Sequence, residues 1–389
     1  LRPFEHECGP CALATIVVAG KRYTLVPEET IPSKAKPVKS LASFANRSAQ
    51  LVAGFACAIA LVAGVPAVAG AQVLTTDDIC SKTADARGIT AENLPDIEAT
   101  NALVMGKDGT VYYGRGADEQ VKIASITKVM TAILTVENCK MDEKVTVSNA
   151  AATVGNSTAG LLEGDELTVE QALRGLMIPS GNDAAIVLAE YAGKKIDPKT
   201  KDAVATFVKA MNERAKKLGC TGTVFENPHG LDFDEWAGDM HSTAHDVALM
   251  MQEAMKNDTF REVVASEDSW IEVTGADGSD HSHSMDTHNY LLGQDGNIGG
   301  KTGTSEKLDE YDENGQQVKD KIVSFVGVAP IEDPKYVVLV ALDTPAYSEN
   351  SEKYTVHGMY ISGGLMAAPT VRDIFLDILP YLGVEPDYD

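Results

Sequence analysis

From Ser125 onward, apolar residues fall at Ile126, Val129, Met130, Ile133 and Leu134, the three-and-four spacing of a helix with one buried face. The same periodicity predicts helices over 169–177, 184–191, 201–218 and 243–256, and a last amphipathic helix over 369–382. Either side of this helical middle the pattern changes. Short apolar runs at 101–105 and 110–113 flank Gly106-Lys107-Asp108-Gly109, which reads as a hairpin. Runs rich in β-branched residues follow at 322–329 and 336–342, around Pro330-Ile331-Glu332-Asp333-Pro334. The polar, acidic stretch 308–321 reads as a long loop between strands. Strands open the region, helices fill it and strands return. That order predicts an α/β (α+β) fold: a sheet closed by strands far apart in sequence, flanked by helices, with a helical lobe inserted over about 130–290.

The first seventy residues follow a different logic. Lys34, Lys36, Lys39 and Arg47 precede an apolar run over 51–69 that ends Ala67-Val68-Ala69-Gly70-Ala71. A basic flank, an apolar stretch and small residues at −3 and −1 predict a secretory signal over 36–71, cleaved after Ala69 or Ala71. The run is barely long enough to span a membrane, and Pro66 would break a helix just before the small residues. Left uncleaved, it would associate the protein with a membrane. Residues 1–35 read as an extension or a mis-set start, since all 12 methionines lie at Met105 or later. Cys8-Gly9-Pro10-Cys11 matches a redox pattern, but no βαβ pattern follows it, so no redox role is expected. Residues 72–97 form a polar lead-in, and 98–389 form one two-lobed domain.

Composition narrows the function. Hydrophobic residues make up 44%, too many for a disordered acidic chain. The formal charge of −24 excludes the basic footprint that nucleic-acid binding needs. Removing residues 1–71 takes away seven basic and four acidic side chains and leaves −27. An exported chain meets an oxidising setting. Of Cys80, Cys139 and Cys220, at most one pair can bridge; the expected pair is Cys139–Cys220, the alternative three thiols. His281, His283 and His288 have a spacing that is not a recognised zinc pattern, so a surface loop is expected, with no metal and no cofactor.

Three motifs occur in one order: Ser125-x-x-Lys128, Ser180-Gly181-Asn182 and Lys301-Thr302-Gly303. Each alone is weak, and Ser33-x-x-Lys36 and Ser348-Glu349-Asn350 match the first two in the wrong context. The order and the separations together are specific. Ser125 and Lys128 lie three residues apart and project from one helix face. A serine hydroxyl becomes a nucleophile when a base takes its proton. A lysine amine can be that base when burial and a second cation, such as Lys301, keep it neutral. A turn at 180–182 can aim Ser180 and Asn182 into a cleft, Ser180 to relay a proton and Asn182 to hold Lys128 and a substrate amide. Gly299, Gly300 and Gly303 would let a peptide approach a strand edge. There Lys301, Thr302 and Thr304 offer a cation and hydroxyls to a carboxylate.

With Ile123-Ala124-Ser125-Ile126-Thr127-Lys128-Val129-Met130-Thr131 and Pro179-Ser180-Gly181-Asn182-Asp183-Ala184, the chain resembles the penicillin-binding, serine-active transpeptidase-like superfamily. It looks most like the D-alanyl-D-alanine carboxypeptidases. Asn227-Pro228-His229-Gly230-Leu231, the 242–250 helix and Asn289-Tyr290-Leu291-Leu292 also fit, so the similarity covers roughly 100–345. The resemblance implies a β-lactamase/transpeptidase-like fold with an antiparallel sheet. It implies a peptidoglycan pentapeptide ending in D-Ala-D-Ala as substrate, an acyl-enzyme on Ser125, and inhibition by β-lactams. It also implies an oxyanion hole from the N–H groups of Ser125 and Thr304, and an extracytoplasmic, secreted or envelope-associated location. Thr304 departs from the bulky residue, often His, that such carboxypeptidases carry after Lys-Thr-Gly. Residues 324–330 and 363–369 look more like high-molecular-mass transpeptidases, which leaves water or an amine as acceptor. A serine β-lactamase fits less well. No Glu in an E-x-x-L-N context lies between Asn182 and Cys220, and Gly164-Asp165-Glu166 precedes Ser180. A β-lactam sensor without turnover is the remaining alternative.

Overall fold

The structure, a computed structural model, describes residues 77–89, 99–292, 298–306, 321–343, 355–356 and 359–381, with two short strands near the start, β1 (Ala14–Val18) and β2 (Lys21–Leu25). The expected export segment at 36–71, the Cys8–Cys11 pattern and the 308–320 loop lie outside the described residues.

The main sheet joins both ends of the domain. Its strands are β3 (Asp78–Ile79), β4 (Lys82–Thr83), β5 (Asn101–Gly106), β6 (Val111–Arg115), β11 (Gly299–Glu306), β12 (Lys321–Ala329) and β13 (Tyr336–Asp343). They pair antiparallel in the order β11-β12-β13-β5-β6-β3-β4. The closure expected from the sequence is made where β13 meets β5, with Leu339 opposite Leu103 and Val337 opposite Met105.

These central strands are buried on both faces, and so they read as apolar runs rather than as an alternation. Leu103, Met105, Val326 and Leu339 face the core shared with the inserted lobe. Ala102, Val104, Phe325 and Val340 face the other way, onto Val371, Ile374 and Phe375 of the C-terminal helix.

The helices are α1 (Lys128–Asn138), α2 (Asn149–Ala152), α3 (Val169–Met177), α4 (Asn182–Ile196), α5 (Ala203–Leu218), α6 (Ala244–Ala254), α7 (Asp258–Val264) and α8 (Ala368–Tyr381). Their ends follow side-chain chemistry. Thr168 and Gln171 form a capping box at α3, Asp202 caps α5 by accepting from Ala205 N–H, and Gly219 ends α5 in the left-handed region. Among the described residues, no helix is long and apolar enough to cross a membrane.

Three findings differ from the sequence expectations. The inserted lobe also carries a four-stranded sheet, β10-β9-β8-β7, made of β7 (Lys144–Thr146), β8 (Glu166–Thr168), β9 (Ser269–Thr274) and β10 (Asp280–Met285). The stretch read as lead-in contributes β3 and β4 to the main sheet. Asp77 anchors it there, bonded to Arg115 Nη2 at 2.7 Å and to the Tyr113 hydroxyl at 2.7 Å, all three buried. The Cys139–Cys220 bridge is absent: both are buried thiols. Each is held at the end of its own helix, Cys139 capping α1 and Cys220 following Gly219. Burial pushes the Cys139 thiol up to about 11 and the Cys220 thiol up to about 12.

Candidate active site

A turn of 3-10 helix, Ala124–Thr127, runs directly into α1. It leaves Ser125 half-buried and places Lys128, three residues on, in the interior beneath it. Ala124 sits at φ +45°, a conformation that costs a non-glycine residue about 1–3 kcal/mol and that clusters at functional sites. Lys128 is fully buried. Its Nζ lies 2.9 Å from Ser125 Oγ, 2.8 Å from Asn182 Oδ1 and 2.8 Å from the His229 carbonyl oxygen.

This three-point contact fixes the chemistry of the amine. Burial first, and then the charge of Lys301, hold Lys128 well below the ordinary lysine range; the nearby Asp183 carboxylate pulls the other way. A neutral amine has two hydrogens and one lone pair. Asn182 Oδ1 and the His229 carbonyl can only accept, so they take the two hydrogens. The lone pair then faces Ser125 Oγ.

Each acceptor is held in place. Asn182 Nδ2 donates to Gly155 O at 3.0 Å, which leaves Oδ1 for the lysine. Asn227 Oδ1 accepts from the N–H groups of His229 and Gly230, at 3.2 and 2.7 Å, and this Asx turn presents the His229 carbonyl. Thr131 Oγ1 donates to Pro228 O at 2.6 Å and ties the same loop to α1. Gly230, at φ +96°, passes against the Ala124–Ser125 peptide. The His229 ring takes no proton from Lys128. Burial lowers it to about 3, and it stands edge-on to Trp236, 4.5 Å between centroids.

The second motif is a strained turn. Ser180 is buried at φ +62°, and Asn182 begins α4. Asp183 secures it from behind, accepting from Ala159 N–H at 2.9 Å and Leu161 N–H at 3.0 Å. The Asn182 N–H donates to Ser157 O at 2.8 Å.

The third motif forms the start of β11, at the edge of the main sheet. Lys301 is buried; its Nζ donates to Ser180 Oγ at 2.8 Å and to Thr302 O at 3.1 Å, and burial brings the amine down to about 7. The expected cation is therefore present behind the Ser180 hydroxyl rather than displayed on the strand edge. Thr304 is exposed on that edge, and its Oγ1 accepts from Gly363 N–H at 3.2 Å. A Cβ on Gly303 would come within 2.7 Å of the Ile123 carbonyl and 2.6 Å of Ser324 Oγ, so only glycine lets β11 lie against the Ser125 turn.

Ser125, Lys128, Ser180, Asn182 and Lys301 are thus brought together, with Thr302, Gly303 and Thr304 along one wall. Sequence reasoning assigned no role to the His229 carbonyl or to Asp183. The Asn-Pro-His-Gly turn signal marks the first; nothing local marks the second. The three histidines do not form one surface loop. His281 and His283 lie on β10, whereas His288 is apart, lining a cavity with Lys301 and Thr302, where burial first, and then the Lys301 charge, lower it to about 4.

Known proteins match this chain over much of its length. The family model described as D-alanyl-D-alanine carboxypeptidase matches residues 88–310. A D-alanyl-D-alanine carboxypeptidase of Streptomyces sp. is 36% identical over 248 residues, covering 61% of this chain and 82% of the relative. One from Bacillus subtilis is 34% identical over 180 residues, covering 45% of this chain and 43% of its own length. The crystal structure of the DD-transpeptidase of Streptomyces strain K15 superposes with a TM-score of 0.56 at 27% identity, covering 74% of this chain and 97% of that one. The match therefore spans less than half of the Bacillus relative but most of the Streptomyces proteins. A family model matching over half the chain, and a relative shared along four-fifths of its length, lead to one conclusion: the chain belongs to the D-alanyl-D-alanine carboxypeptidase family, with the fold of the penicillin-binding DD-peptidases.

Proposed function

We propose that this protein is a serine-type D-Ala-D-Ala carboxypeptidase acting on peptidoglycan stem peptides. The observation that carries the reading is the buried Lys128 amine, which lies 2.9 Å from Ser125 Oγ and 2.8 Å from each of two carbonyl acceptors that can take its hydrogens. Lys128 takes the Ser125 proton as Oγ attacks the carbonyl between the two terminal D-alanines. The Ser125 and Thr304 N–H groups hold the resulting oxyanion. Ser180, backed by Lys301, delivers a proton to the departing D-Ala nitrogen. The Thr302 and Thr304 hydroxyls receive the terminal carboxylate, with the Lys301 charge behind them. Water then attacks the acyl-enzyme and frees Ser125. β-Lactams acylate the same oxygen and leave slowly. The substrate lies outside the cytoplasmic membrane, so the 36–71 segment serves for export, and the protein is secreted or stays at the envelope. D-Ala release from a pentapeptide, followed by an amino-acid assay, tests this: release by the wild type and none by Ser125→Ala is expected, and release by the Ser125→Ala variant contradicts it.

A second reading is that an amine, not water, accepts the acyl group. The extensive match to a protein named as a DD-transpeptidase favours it, as does Thr304 in place of a bulky residue. Adding an amine acceptor and measuring the ratio of transfer to hydrolysis decides between them.

A further inference from the structure

We infer that Asp165, His281 and His283 form a binding site for one zinc-class divalent ion, away from the Ser125 cleft. Asp165 is buried on the loop entering β8, and its Oδ2 accepts from Leu162 N–H at 2.9 Å. His281 and His283 are two apart on β10, so both rings project from one face of the strand. Both turn the same nitrogen to the same carboxylate. His283 Nε2 lies 3.0 Å from Asp165 Oδ2, and His281 Nε2 lies 3.3 Å from Oδ1. The three donor atoms all lie within 4.8 Å of one another.

Protein hydrogen bonds alone leave this cluster incomplete. The His281 Nε2 atom is buried and, despite its nearness to Oδ1, has no hydrogen-bond partner. Around a tetrahedral ion with bonds of about 2.0–2.1 Å, donor atoms stand about 3.3 Å apart; the two ring nitrogens stand 3.3 and 3.0 Å from the two carboxylate oxygens, close enough for one ion to draw all three groups together. Two imidazoles with one carboxylate suit zinc; magnesium and calcium prefer all-oxygen shells. A glycine leaves room for one ring: a Cβ on Gly275 would stand 3.1 Å from His281 Cε1.

Three protein donors leave a fourth position for water. The ion would tie β10 to the 159–165 loop, the loop whose Ala159 and Leu161 N–H groups bond to Asp183 behind the Ser180 turn. It is a staple in the lobe, and it stands independently of the proposed peptidase reaction.

The test uses the full chain, stripped with a chelator and titrated with Zn2+ or, in parallel, Mg2+, with bound metal counted by mass spectrometry and thermal melts recorded. One Zn2+ per chain and a raised melting temperature are expected, with no Mg2+ uptake. Removing a group that only orients a ligand costs about 10–100-fold in affinity. Replacing a direct ligand, as in His283→Gln, is expected to cost at least about 100-fold. His281→Gln, at the more exposed of the two rings, is the second variant in case the first folds poorly. Each variant should keep the melting temperature of the metal-free wild type. No zinc uptake, preference for Mg2+, or zinc retained at full affinity by either folded variant overturns the assignment.

Discussion

Gly230→Ala probes how closely the lysine is held. The added Cβ would stand 2.0 Å from the Ala124 carbonyl oxygen, 2.4 Å from its carbon and 2.9 Å from Ser125 N, where ordinary contact begins near 3.4 Å. Relief requires a shift of about 1.4 Å in either the Ser125 turn or the His229–Gly230 loop. Either movement separates Ser125 Oγ, Lys128 Nζ and the His229 carbonyl. A misplacement of about 1 Å costs on the order of 100-fold in rate, so kcat/KM for D-Ala release should fall by at least that factor. Alanine at φ +96° adds about 1–2 kcal/mol of backbone strain, and overpacking about 1–3 kcal/mol. At about 2–4 °C per kcal/mol the melting temperature should drop by several degrees. Gly219→Ala is the matched control: it has φ +87° with nothing within 4 Å of its Cβ, at the end of α5. It should show the strain alone, with activity per folded molecule unchanged. Wild-type kcat/KM in Gly230→Ala, or an equal loss in Gly219→Ala, would show that the close approach at Gly230 does not position Lys128.

Further outcomes follow from the same contacts. Lys128→Met keeps the bulk and removes the base, so acylation by a fluorescent penicillin should slow by about 100- to 10,000-fold, read as a second-order rate constant. Acidification protonates Lys128 and removes the base, while raising the pH through about 7 neutralises Lys301. The kcat/KM profile should therefore be bell-shaped with an alkaline limb near neutrality, and that limb should move up in kcat, because a bound carboxylate keeps the Lys301 proton. Arg115→Met leaves the buried Asp77 carboxylate without its cation and should destabilise the domain by about 3–5 kcal/mol in urea unfolding, with the chemistry of surviving folded enzyme intact. A reductant should leave the melting temperature unchanged, since Cys139 and Cys220 form no bridge.

The long helices and the central strands were legible because each buries enough of its surface to impose a period. The helix read over 169–177 is α3 itself, and the run at 322–329 is β12 but for one residue. The small sheet was not legible. β7 and β8 are three residues each, and β10 reads Asp-His-Ser-His-Ser-Met, with no apolar stripe to report its pairing. The three motifs named the side chains that meet in the cleft. They could not name a backbone carbonyl, and His229 contributes through its carbonyl, not its ring. Nor could they show that Lys301 sits behind Ser180, because that depends on how β11 docks on a turn 121 residues away. Asp183 follows the motif directly, yet its task, holding the 159–161 backbone, belongs to tertiary structure.

The most direct test of the central claim is a peptide mass map of the protein after brief incubation with penicillin. One covalent adduct is expected, on the peptide containing Ser125, absent from Ser125→Ala and strongly slowed in Lys128→Met. An adduct on any other residue, or labelling that persists undiminished in Ser125→Ala, would contradict it.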